Sequence, residues 1–272
     1  MLLGVSADAV YWTSGARVSG ASLDTLPAPP LELVASATLA VHADDHVLAV
    51  AGQNVLSASV ATPARRVATT AVEALAESDG PTPRLVWSVG DTLSWGPSGD
   101  VDGSATLNRT THVDHIRAAP NRFWVASDGT ADRRLLFVDR ETTASGVAAS
   151  SARYADSFPG GGADGATYRG RIVDATDDAA LWLVEELPST RAVLVEVPAH
   201  GTPSVLLEHV MGAAGFFATD DALYWQEGDA LLTAPRSGGA ASIAVHLPGT
   251  AGALADGFVY YVEGGAIMRL AL

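Results

Sequence analysis

The stretch Asp8-Ala9-Val10-Tyr11-Trp12 decides the fold, because versions of it recur along the whole chain. Each version is a short apolar run that usually ends in an aromatic residue. Consecutive final residues lie 36 to 43 residues apart, with one longer step of 58. The runs are Val10-Tyr11-Trp12, Val47-Leu48-Ala49, Leu85-Val86-Trp87, Arg122-Phe123-Trp124, Ala180-Leu181-Trp182, Leu223-Tyr224-Trp225 and Val259-Tyr260-Tyr261. Self-similarity at a fixed period is the signature of a repeat architecture.

Each copy of the repeat contains four short β-rich segments, named a to d from the axis outward. The aromatic run (strand b) is followed by a Gly or Asp turn and a second apolar run, which together predict a hairpin. Apolar stretches also precede and follow this hairpin, as at 38–41 and 32–34. Four short strands per copy are typical of a propeller blade. The predicted blades span 1–36, 37–73, 74–111, 112–152, 166–209, 210–249 and 250–272, with a loop insertion near 150–168.

The predicted fold is therefore all-β: a single β-propeller domain of about seven four-stranded blades, with a three-stranded last blade and no significant helix. The last copy ends at Leu272 after its strand c, and Met1 already begins strand a of the first blade. Two interpretations stay open. The last blade has three strands, or the chain is an N-terminally trimmed form of a longer protein, which is the interpretation we favour.

The composition excludes several classes of function. The 272 residues carry a formal net charge of -15, which disfavours binding to nucleic acid or to an anionic membrane surface. The absence of Cys excludes disulfides, thiolate nucleophiles and Cys-ligated zinc. No apolar run approaches the length of about 18 residues that spans a bilayer, and no signal peptide is recognisable. The lack of disulfides leaves the compartment open, because a secreted domain with an adequate core can do without them. An extracellular or periplasmic location is slightly favoured.

The phrases Asp8-Ala9-Val10-Tyr11-Trp12-Thr13 and Asp221-Ala222-Leu223-Tyr224-Trp225, with the later Ile267-Met268-Arg269-Leu270, resemble the YWTD class of propeller repeats and its bacterial relatives. The chain departs from that class at Ser14, where the class has Asp, and in its seven copies, where the class closes with six blades. The resemblance implies a propeller. Most such propellers are binding platforms, although some relatives are enzymes.

The repeated Trp and Asp residues are expected to belong to the scaffold. A Trp at a fixed place in each repeat is expected to pack between adjacent blades. An Asp just before a strand, at a tight turn, is expected to cap backbone N–H groups. Where two Asp residues are adjacent, the pair could also bind calcium. The residues concerned are Asp8, Asp45, Asp178 and Asp221, preceded in three copies by Asp44, Asp177 and Asp220.

The segment His112-Val113-Asp114-His115 has the strongest potential for chemistry, since two imidazoles and a carboxylate could hold a transition metal. Asp114 lies ten residues before Trp124, which predicts a place at the start of strand a, on the rim of the axial channel. The same count places Glu77 on the rim of blade three, and Arg171 lies one residue further along in blade five. The catalytic candidates are Glu77, Asp114, His115 and Arg171, and the candidate metal ligands are His112, Asp114 and His115.

The turns between strands b and c are rich in acidic residues, which predicts an acidic face on the same end of the disc. Such a face could attract a cationic ligand or a basic patch of another protein. The residues are Asp91, Asp128, Asp132, Glu185, Glu186, Glu227, Asp229 and Glu263.

Three functional hypotheses follow from these observations. The first is a non-enzymatic binding or scaffold module that presents one face and the 150–168 loop to a protein or a small ligand. The second is a propeller lyase or hydrolase with a rim site, assisted by a divalent metal. The third is a structural module cut from a larger secreted protein. We favour the non-enzymatic hypotheses, expect a monomer and predict no cofactor. The rim positions of the other four blades are apolar or small, namely Leu2, Leu39, Gly215 and Ala251.

Overall fold

The fold is a β-propeller of seven antiparallel sheets, six with four strands and the last with three, as predicted. The computed structural model describes residues 1–26, 30–43, 45–70, 72–78, 84–97, 101–107, 112–128, 133–151, 167–187, 189, 191–211 and 215–272. Most of the predicted insertion, residues 152–166, lies outside this range. No α-helix occurs among the described residues, which include the short 3-10 turn Leu23–Thr25. None of those residues belongs to a helix with the length and apolar character that crossing a membrane requires.

The first three blades follow the chain in order. Blade 1 comprises β1 (Leu2–Val5), β2 (Ala9–Ser14), β3 (Arg17–Ser22) and β4 (Leu31–Val34). Blade 2 comprises β5 (Leu39–Ala43), β6 (His46–Ala51), β7 (Asn54–Ala58) and β8 (Arg65–Thr69). Blade 3 comprises β9 (Ala74–Ser78), β10 (Arg84–Val89), β11 (Thr92–Gly96) and β12 (Gly103–Thr106).

The remaining blades repeat the same antiparallel order. Blade 4 comprises β13 (His112–Ala118), β14 (Arg122–Asp128), β15 (Arg133–Asp139) and β16 (Ser145–Ser150). Blade 5 comprises β17 (Thr167–Ala175), β18 (Ala179–Leu187), β19 (Arg191–Pro198) and β20 (Ser204–Met211). Blade 6 comprises β21 (Phe217–Ala218), β22 (Ala222–Glu227), β23 (Ala230–Pro235) and β24 (Ser242–His246). Blade 7 comprises β25 (Thr250–Ala255), β26 (Phe258–Glu263) and β27 (Ala266–Ala271).

Glycine makes the tight turns between strands b and c. Ser14 pairs with Arg17 across the first of these turns, so only two residues form the loop. Gly15 in this loop has φ 58° and Gly52 in the next blade has φ 62°. This left-handed region is strained for residues with a Cβ, which is why the sequence places Gly there.

The hydrophobic core is divided among the interfaces between blades. The described residues form seven buried clusters, one between each pair of neighbouring blades. The cluster between blades 1 and 7 includes Val10 from β2 and Tyr260 from β26, both almost fully buried. Strand β1 also packs against β25. The ring therefore closes by packing of blade 1 on blade 7, although blade 7 has three strands.

The repeated Trp residues pack between blades, as predicted, but not all on the same side. Trp87, Trp182 and Trp225 belong to clusters shared with the preceding blade. Trp124 instead belongs to the cluster shared with the following blade. The prediction that Trp124 occupies the same repeat position as the other Trp residues is therefore wrong by one residue. In blade 4 that position, which faces the preceding blade, is occupied by Val125.

The turn between strands a and b explains this shift in blade 4. In blade 1, the carbonyl of Asp8 accepts a hydrogen bond from the Leu23 amide at 2.9 Å. In blade 4, the carbonyl of Asn121 accepts the equivalent bond from the Arg140 amide at 3.0 Å. Asn121 is therefore the structural equivalent of Asp8. Trp12 lies four residues after Asp8, so its equivalent in β14 is Val125, four residues after Asn121.

In blades 5 and 6, hydroxyl groups take the capping role that was predicted for the repeated Asp side chains. The Ala179 amide donates to Oγ1 of Thr176 at 3.2 Å, and the Ala222 amide donates to Oγ1 of Thr219 at 3.1 Å. Each Thr lies two residues before the repeated Asp. A hydroxyl at that place accepts the N–H that the carboxylate was expected to accept.

Candidate functional site

The two ends of the propeller axis carry different turns, because strands a to d alternate in direction within each blade. The end where every strand a begins also carries the turns between strands b and c, and we call it the b–c face. The opposite end carries the turns between strands a and b, and we call it the a–b face. Neighbouring strands a pack against one another around the channel, as β9 does against β13 and β13 against β17.

His115 and Arg171 hold the same position in adjacent blades. His115 pairs with Ala126, and Arg171 pairs with Leu183, at equivalent places in strand b. His115 lies three residues inside the b–c end of β13, and Arg171 lies four residues inside that of β17. Because β13 packs against β17, the structure brings these two predicted residues together, slightly inside the channel.

Glu77 lies at the other end of the channel. It pairs with Leu85 one residue before the end of β9, and its Oε2 is 3.6 Å from Nε2 of His46 at the start of β6. The prediction that Glu77 shares the rim with Asp114 is therefore wrong. Five residues (79–83) separate β9 from β10, whereas three (6–8) separate β1 from β2, so a fixed count back from Trp87 ends too close to the a–b face.

A row of carboxylate, imidazole and guanidinium side chains from two blades crosses the b–c face instead. Oε2 of Glu73 lies 3.6 Å from Nδ1 of His112, whose Nε2 lies 3.8 Å from Oδ1 of Asp114. Oδ2 of Asp114 lies 3.2 Å from Nη1 of Arg133. Nε of Arg133 donates to the carbonyl of Tyr168 in blade 5 at 2.7 Å, which anchors the row to a third blade. We call Glu73, His112, Asp114 and Arg133 the rim chain.

Asp114 joins the rim chain because β13 contains a bulge. The pairing of β13 with β14 shifts between Val113 and His115, which leaves Asp114 as the extra residue. A bulge changes the direction of the side chain it carries and is frequent beside functional sites. Here it allows the Asp114 carboxylate to reach Arg133 on strand c.

His115 sits half-buried in the channel wall. Its Nδ1 is shielded from solvent and has no hydrogen-bond partner among the described residues. Burial, together with the positive charges of Arg117 and Arg171, lowers the pKa of His115 from 6.5 to about 4. The imidazole is therefore neutral at neutral pH, with one nitrogen able to donate a hydrogen bond and the other able to accept one.

Arg171 is close to two further charged groups on blade 5. Burial lowers the pKa of its guanidinium, the carboxylate of Glu185 raises it, and the charge of Arg169 lowers it. Arg169 donates to Oε2 of Glu185 through Nε at 2.9 Å and through Nη2 at 2.5 Å. We call His115, Arg117, Arg169, Arg171 and Glu185 the channel cluster.

The candidate metal ligands do not converge. His112 and Asp114 approach each other within the rim chain, whereas His115 belongs to the channel cluster. Over the part of the chain that the structure describes, no three His, Asp or Glu side chains are grouped so as to hold a metal ion.

The b–c turns have fewer free carboxylates than their sequence predicts. Glu185 and Glu186 are buried, and Oε2 of Glu186 accepts from Nε of Arg191 at 2.8 Å. Glu227 accepts a hydrogen bond from Nε1 of Trp225 at 2.9 Å. Asp132 lies outside the described residues. Among the turn residues whose side chains the structure describes, the exposed carboxylates are those of Asp91, Asp229 and Glu263.

Sequence reasoning missed several residues of this region, because it located each strand a by counting a fixed number of residues back from the aromatic run. The hydrogen-bonded pairing of strand a with strand b differs between blades and is not visible in that count. The residues it missed are Glu73, Arg117, Arg133 and Arg169. The amide of Glu73 donates to the carbonyl of Ser88 at 3.0 Å, which places it just before β9 at the b–c face.

No protein-family model matches the chain, and no curated protein matches it either. Solved structures do match. A chain of the nidogen/laminin complex is 12% identical with a TM-score of 0.53, over 88% of this chain and 92% of that one. BamB from Moraxella catarrhalis is 11% identical with a TM-score of 0.54, over 100% and 86%. An extracellular domain of a hybrid two-component system, BT4673 from B. thetaiotaomicron, is 6% identical with a TM-score of 0.68, over 99% and 40%.

At these identities the similarity shows the fold alone. The chain is a seven-bladed β-propeller, and the described residues place a polar channel mouth at blades 3 to 5. The resemblance of its repeats to the YWTD class stays a prediction.

Proposed function

We propose that this propeller is a binding module that holds a ligand or partner at the b–c face, over the rim chain and the channel cluster. The observation that carries the proposal is that ionisable residues, His115 and Arg171, occupy one level of strand a in blades 4 and 5. At the same level, blades 2, 3 and 7 have the uncharged residues Leu39, Ala74 and Thr250. Recognition groups collected on one side of a channel suit an asymmetric ligand.

The rim chain is suited to binding because its side chains restrain one another before a ligand arrives. Asp114 and Arg133 lie 3.2 Å apart, and their side chains remain 26% and 28% exposed. Side chains that are already ordered lose little conformational entropy when they bind. Both groups are therefore preorganised and accessible.

The lyase or hydrolase alternative is less well supported by the arrangement of its four candidate residues. Glu77 is at the a–b face, and the Asp114 carboxylate is paired with Arg133. A general base works best when its pKa is near the working pH, whereas the pKa of His115 is about 4. We therefore favour binding over catalysis.

The partner expected from the sequence is a protein or a small ligand of cationic character. The exposed carboxylates of Asp91, Asp229 and Glu263 suit a basic protein patch on the outer part of the b–c face. The similarity to a chain of the nidogen/laminin complex is consistent with a protein partner.

A thermal-shift screen of the full chain tests the proposal. The panel contains sugars, amino acids, carboxylates, phosphates, diamines, and short Lys-rich and Glu-rich peptides. Each compound that raises Tm is tested again on the double variant Asp114→Asn/Arg133→Gln. The matched control is Asp174→Asn/Arg236→Gln, which removes an ion pair of similar exposure, 30% and 29%, at the a–b face.

The expected result is a Tm increase in the unmodified chain and in the Asp174/Arg236 control, with little or none in the Asp114/Arg133 variant. The opposite pattern, with binding lost only when the Asp174/Arg236 pair is removed, would place the site on the other face and overturn the proposal.

A further inference from the structure

The outer edge of blade 7 lies between two blades that are one strand wider. Strand β27 is the outermost described strand of blade 7, whereas the neighbouring blades 6 and 1 end in β24 and β4. Neighbouring strands of a sheet lie about 4.8 Å apart. The edge of β27 is therefore set back by one strand width, in a groove whose sides are formed by blades 6 and 1.

Alternate residues of β27 direct their backbone polar groups into this groove. The amide of Leu272 donates to the carbonyl of Gly257 at 2.9 Å, on the side of β26. In an antiparallel pair, every second residue bonds to the same neighbour, and the residues between them point the other way. The residues of β27 that point away from β26 are Ile267, Arg269 and Ala271. Such an edge is a template on which another extended chain can form hydrogen bonds.

The other six blades show which side chain normally covers this edge. In each of them, a strand c residue that faces the following blade pairs with an apolar residue of strand d, in or against the cluster between those blades. All six strand c residues are 0% exposed. The pairs are Val18 with Val34, Val55 with Ala68, Leu93 with Ala105, Leu135 with Ala149, Leu194 with Leu207, and Leu231 with Val245.

Ile267 is the corresponding residue of blade 7, and it lacks this cover. It follows the b–c turn at the same distance as Leu231 does in blade 6, and it faces blade 1. No strand d residue of blade 7 lies against it in the part of the chain that the structure describes. Leu23 and Leu26 of blade 1 belong to the same cluster, yet Ile267 remains 7% exposed. The interface is therefore open where the side chain of a fourth strand would lie.

We propose that the edge of β27 binds an extended segment of another protein, which adds to blade 7 as its fourth strand, antiparallel to β27. This surface is on the outer rim of the disc, so the inference goes beyond the binding site at the b–c face. All the described strands of this chain already belong to a blade, so the occupant comes from a separate chain.

The side chains of β27 define the chemistry of the segment. An apolar residue such as valine lies opposite Ile267, as Val245 lies opposite Leu231 in blade 6. Arg269 is exposed and is the one charged residue of the sequence Ala266–Ala271. Opposite charges on directly paired residues of neighbouring strands stabilise a sheet, so an acidic residue is favoured opposite Arg269.

A second copy of this chain fits the groove less well than a single strand does. Its own β27 is set back between β4 and β24 in the same way. Those flanking strands of the two discs would meet before the two β27 edges came within hydrogen-bonding distance. A single extended segment meets no such obstacle.

The test is an NMR titration of the isotope-labelled full chain with three acetylated and amidated peptides. The first, Thr-Thr-Glu-Thr-Val-Thr-Ser, places Val opposite Ile267 and Glu opposite Arg269. The second has Lys in place of Glu, and the third has Pro in place of Val, which removes a backbone N–H that faces β27. We expect the first peptide to shift the amide signals of Ile267, Arg269 and Ala271 and to slow their exchange. The Pro peptide should leave them unchanged.

Reversing one charge tests the predicted pairing. Arg269→Glu should weaken binding of the Glu peptide about three- to tenfold and strengthen binding of the Lys peptide by a similar factor. The matched control is Arg66→Glu, a substitution of an exposed arginine on the outer strand β8, which should bind both peptides like the unmodified chain. Asp114→Asn/Arg133→Gln should also bind the Glu peptide normally, because that pair lies at the b–c face.

Three results would overturn the proposal. The first is no change at the three edge amides at millimolar concentrations of the Glu peptide, and the second is an equal change with the Pro peptide. The third is slow exchange of these amides in the free chain, because the edge would then already be covered by this chain or by a second copy. The peptide comparison uses the unmodified chain and does not depend on the folding of a variant.

Discussion

Tyr11 and Trp124 show how one residue position joins each blade to the next. Both face the following blade. Oη of Tyr11 donates to the carbonyl of Asp45 at 2.8 Å, and Nε1 of Trp124 donates to the carbonyl of Thr176 at 2.8 Å. Tyr and Trp each combine a large apolar ring with one polar group that needs a partner when buried. Either ring can therefore fill the interface and bind the next turn between strands a and b.

The first prediction concerns the pH dependence of stability that His115 creates. Its pKa in the folded protein is about 4, below the ordinary value of 6.5 expected when unfolded. The unfolded chain therefore binds the proton more readily. The stabilising contribution is complete above pH 6.5 and is lost as the pH falls towards 4. A difference of this size corresponds to about 3 kcal/mol at most.

Urea denaturation between pH 7 and pH 4.5 measures this contribution. His115→Asn should lose less stability over that range than the unmodified chain does. The control is His246→Asn, a substitution of an exposed imidazole on the outer strand β24. An identical slope in His115→Asn and in the unmodified chain would contradict the low pKa.

At the scale of elements, the link between strands a and b controls which residues reach each end of the channel. A longer link in blade 3 moves Glu77 to the a–b face, and the bulge in β13 turns Asp114 towards Arg133. Both effects shift a side chain along its strand, or turn it to another side, while the four-stranded structure of the blade stays the same. Side-chain placement on a strand alternates with every residue, so such shifts decide which groups meet.

The second prediction concerns the open edge of blade 7. Strand β27 pairs with β26, and no further strand covers its other edge among the residues that the structure describes. In blade 6 the equivalent strand β23 is covered by β24. The amides of β27 that point away from β26 should therefore exchange with deuterium at least tenfold faster than the covered amides of β23, because they have no ladder partner.

Hydrogen–deuterium exchange followed by NMR can separate the two sets of amides. The internal control is the set of β27 amides that donate to β26, for which we expect protection like that of β23. Equal protection on both edges of β27 would mean that something else covers the outer edge.

At the scale of the molecule, the ring is closed by side-chain packing between the first and last blades. Val10 and Tyr260 meet in one cluster, and β1 packs on β25. The other six interfaces have clusters of the same kind. Each blade therefore depends on two neighbours, and the loss of one interface opens the whole circle.

The third prediction follows from this dependence. Tyr260 is 1% exposed, so Tyr260→Ala should destabilise the protein by about 3–5 kcal/mol, as large-to-small core substitutions of aromatic residues do. Tyr260→Phe keeps the ring and should cost no more than about 1 kcal/mol. Urea unfolding should stay a single transition in the Ala variant, with Trp fluorescence and far-UV circular dichroism coincident. Two separate transitions would show that blade 7 unfolds on its own.

Much of the architecture could be predicted from the repeat, whereas the candidate site could be predicted only in part. The aromatic runs, Gly turns and apolar flanks predict seven blades with a three-stranded last one, and the structure confirms this. The segment 112–115 was predicted at the start of strand a of blade 4, and the structure places it there, at the b–c end of β13. The partners Glu73, Arg117, Arg133 and Arg169 come from strand ends and neighbouring strands that no fixed spacing relates to it.

The amino-acid sequence by itself determined the propeller, because apolar periodicity and turn chemistry are local properties that each copy carries independently. Tertiary structure alone decided which polar residues share the channel mouth, since that depends on link length, a bulge and the packing of β13 on β17. The same packing made His115 a neutral group beside two arginines, because burial and neighbouring charge arise only when the blades assemble.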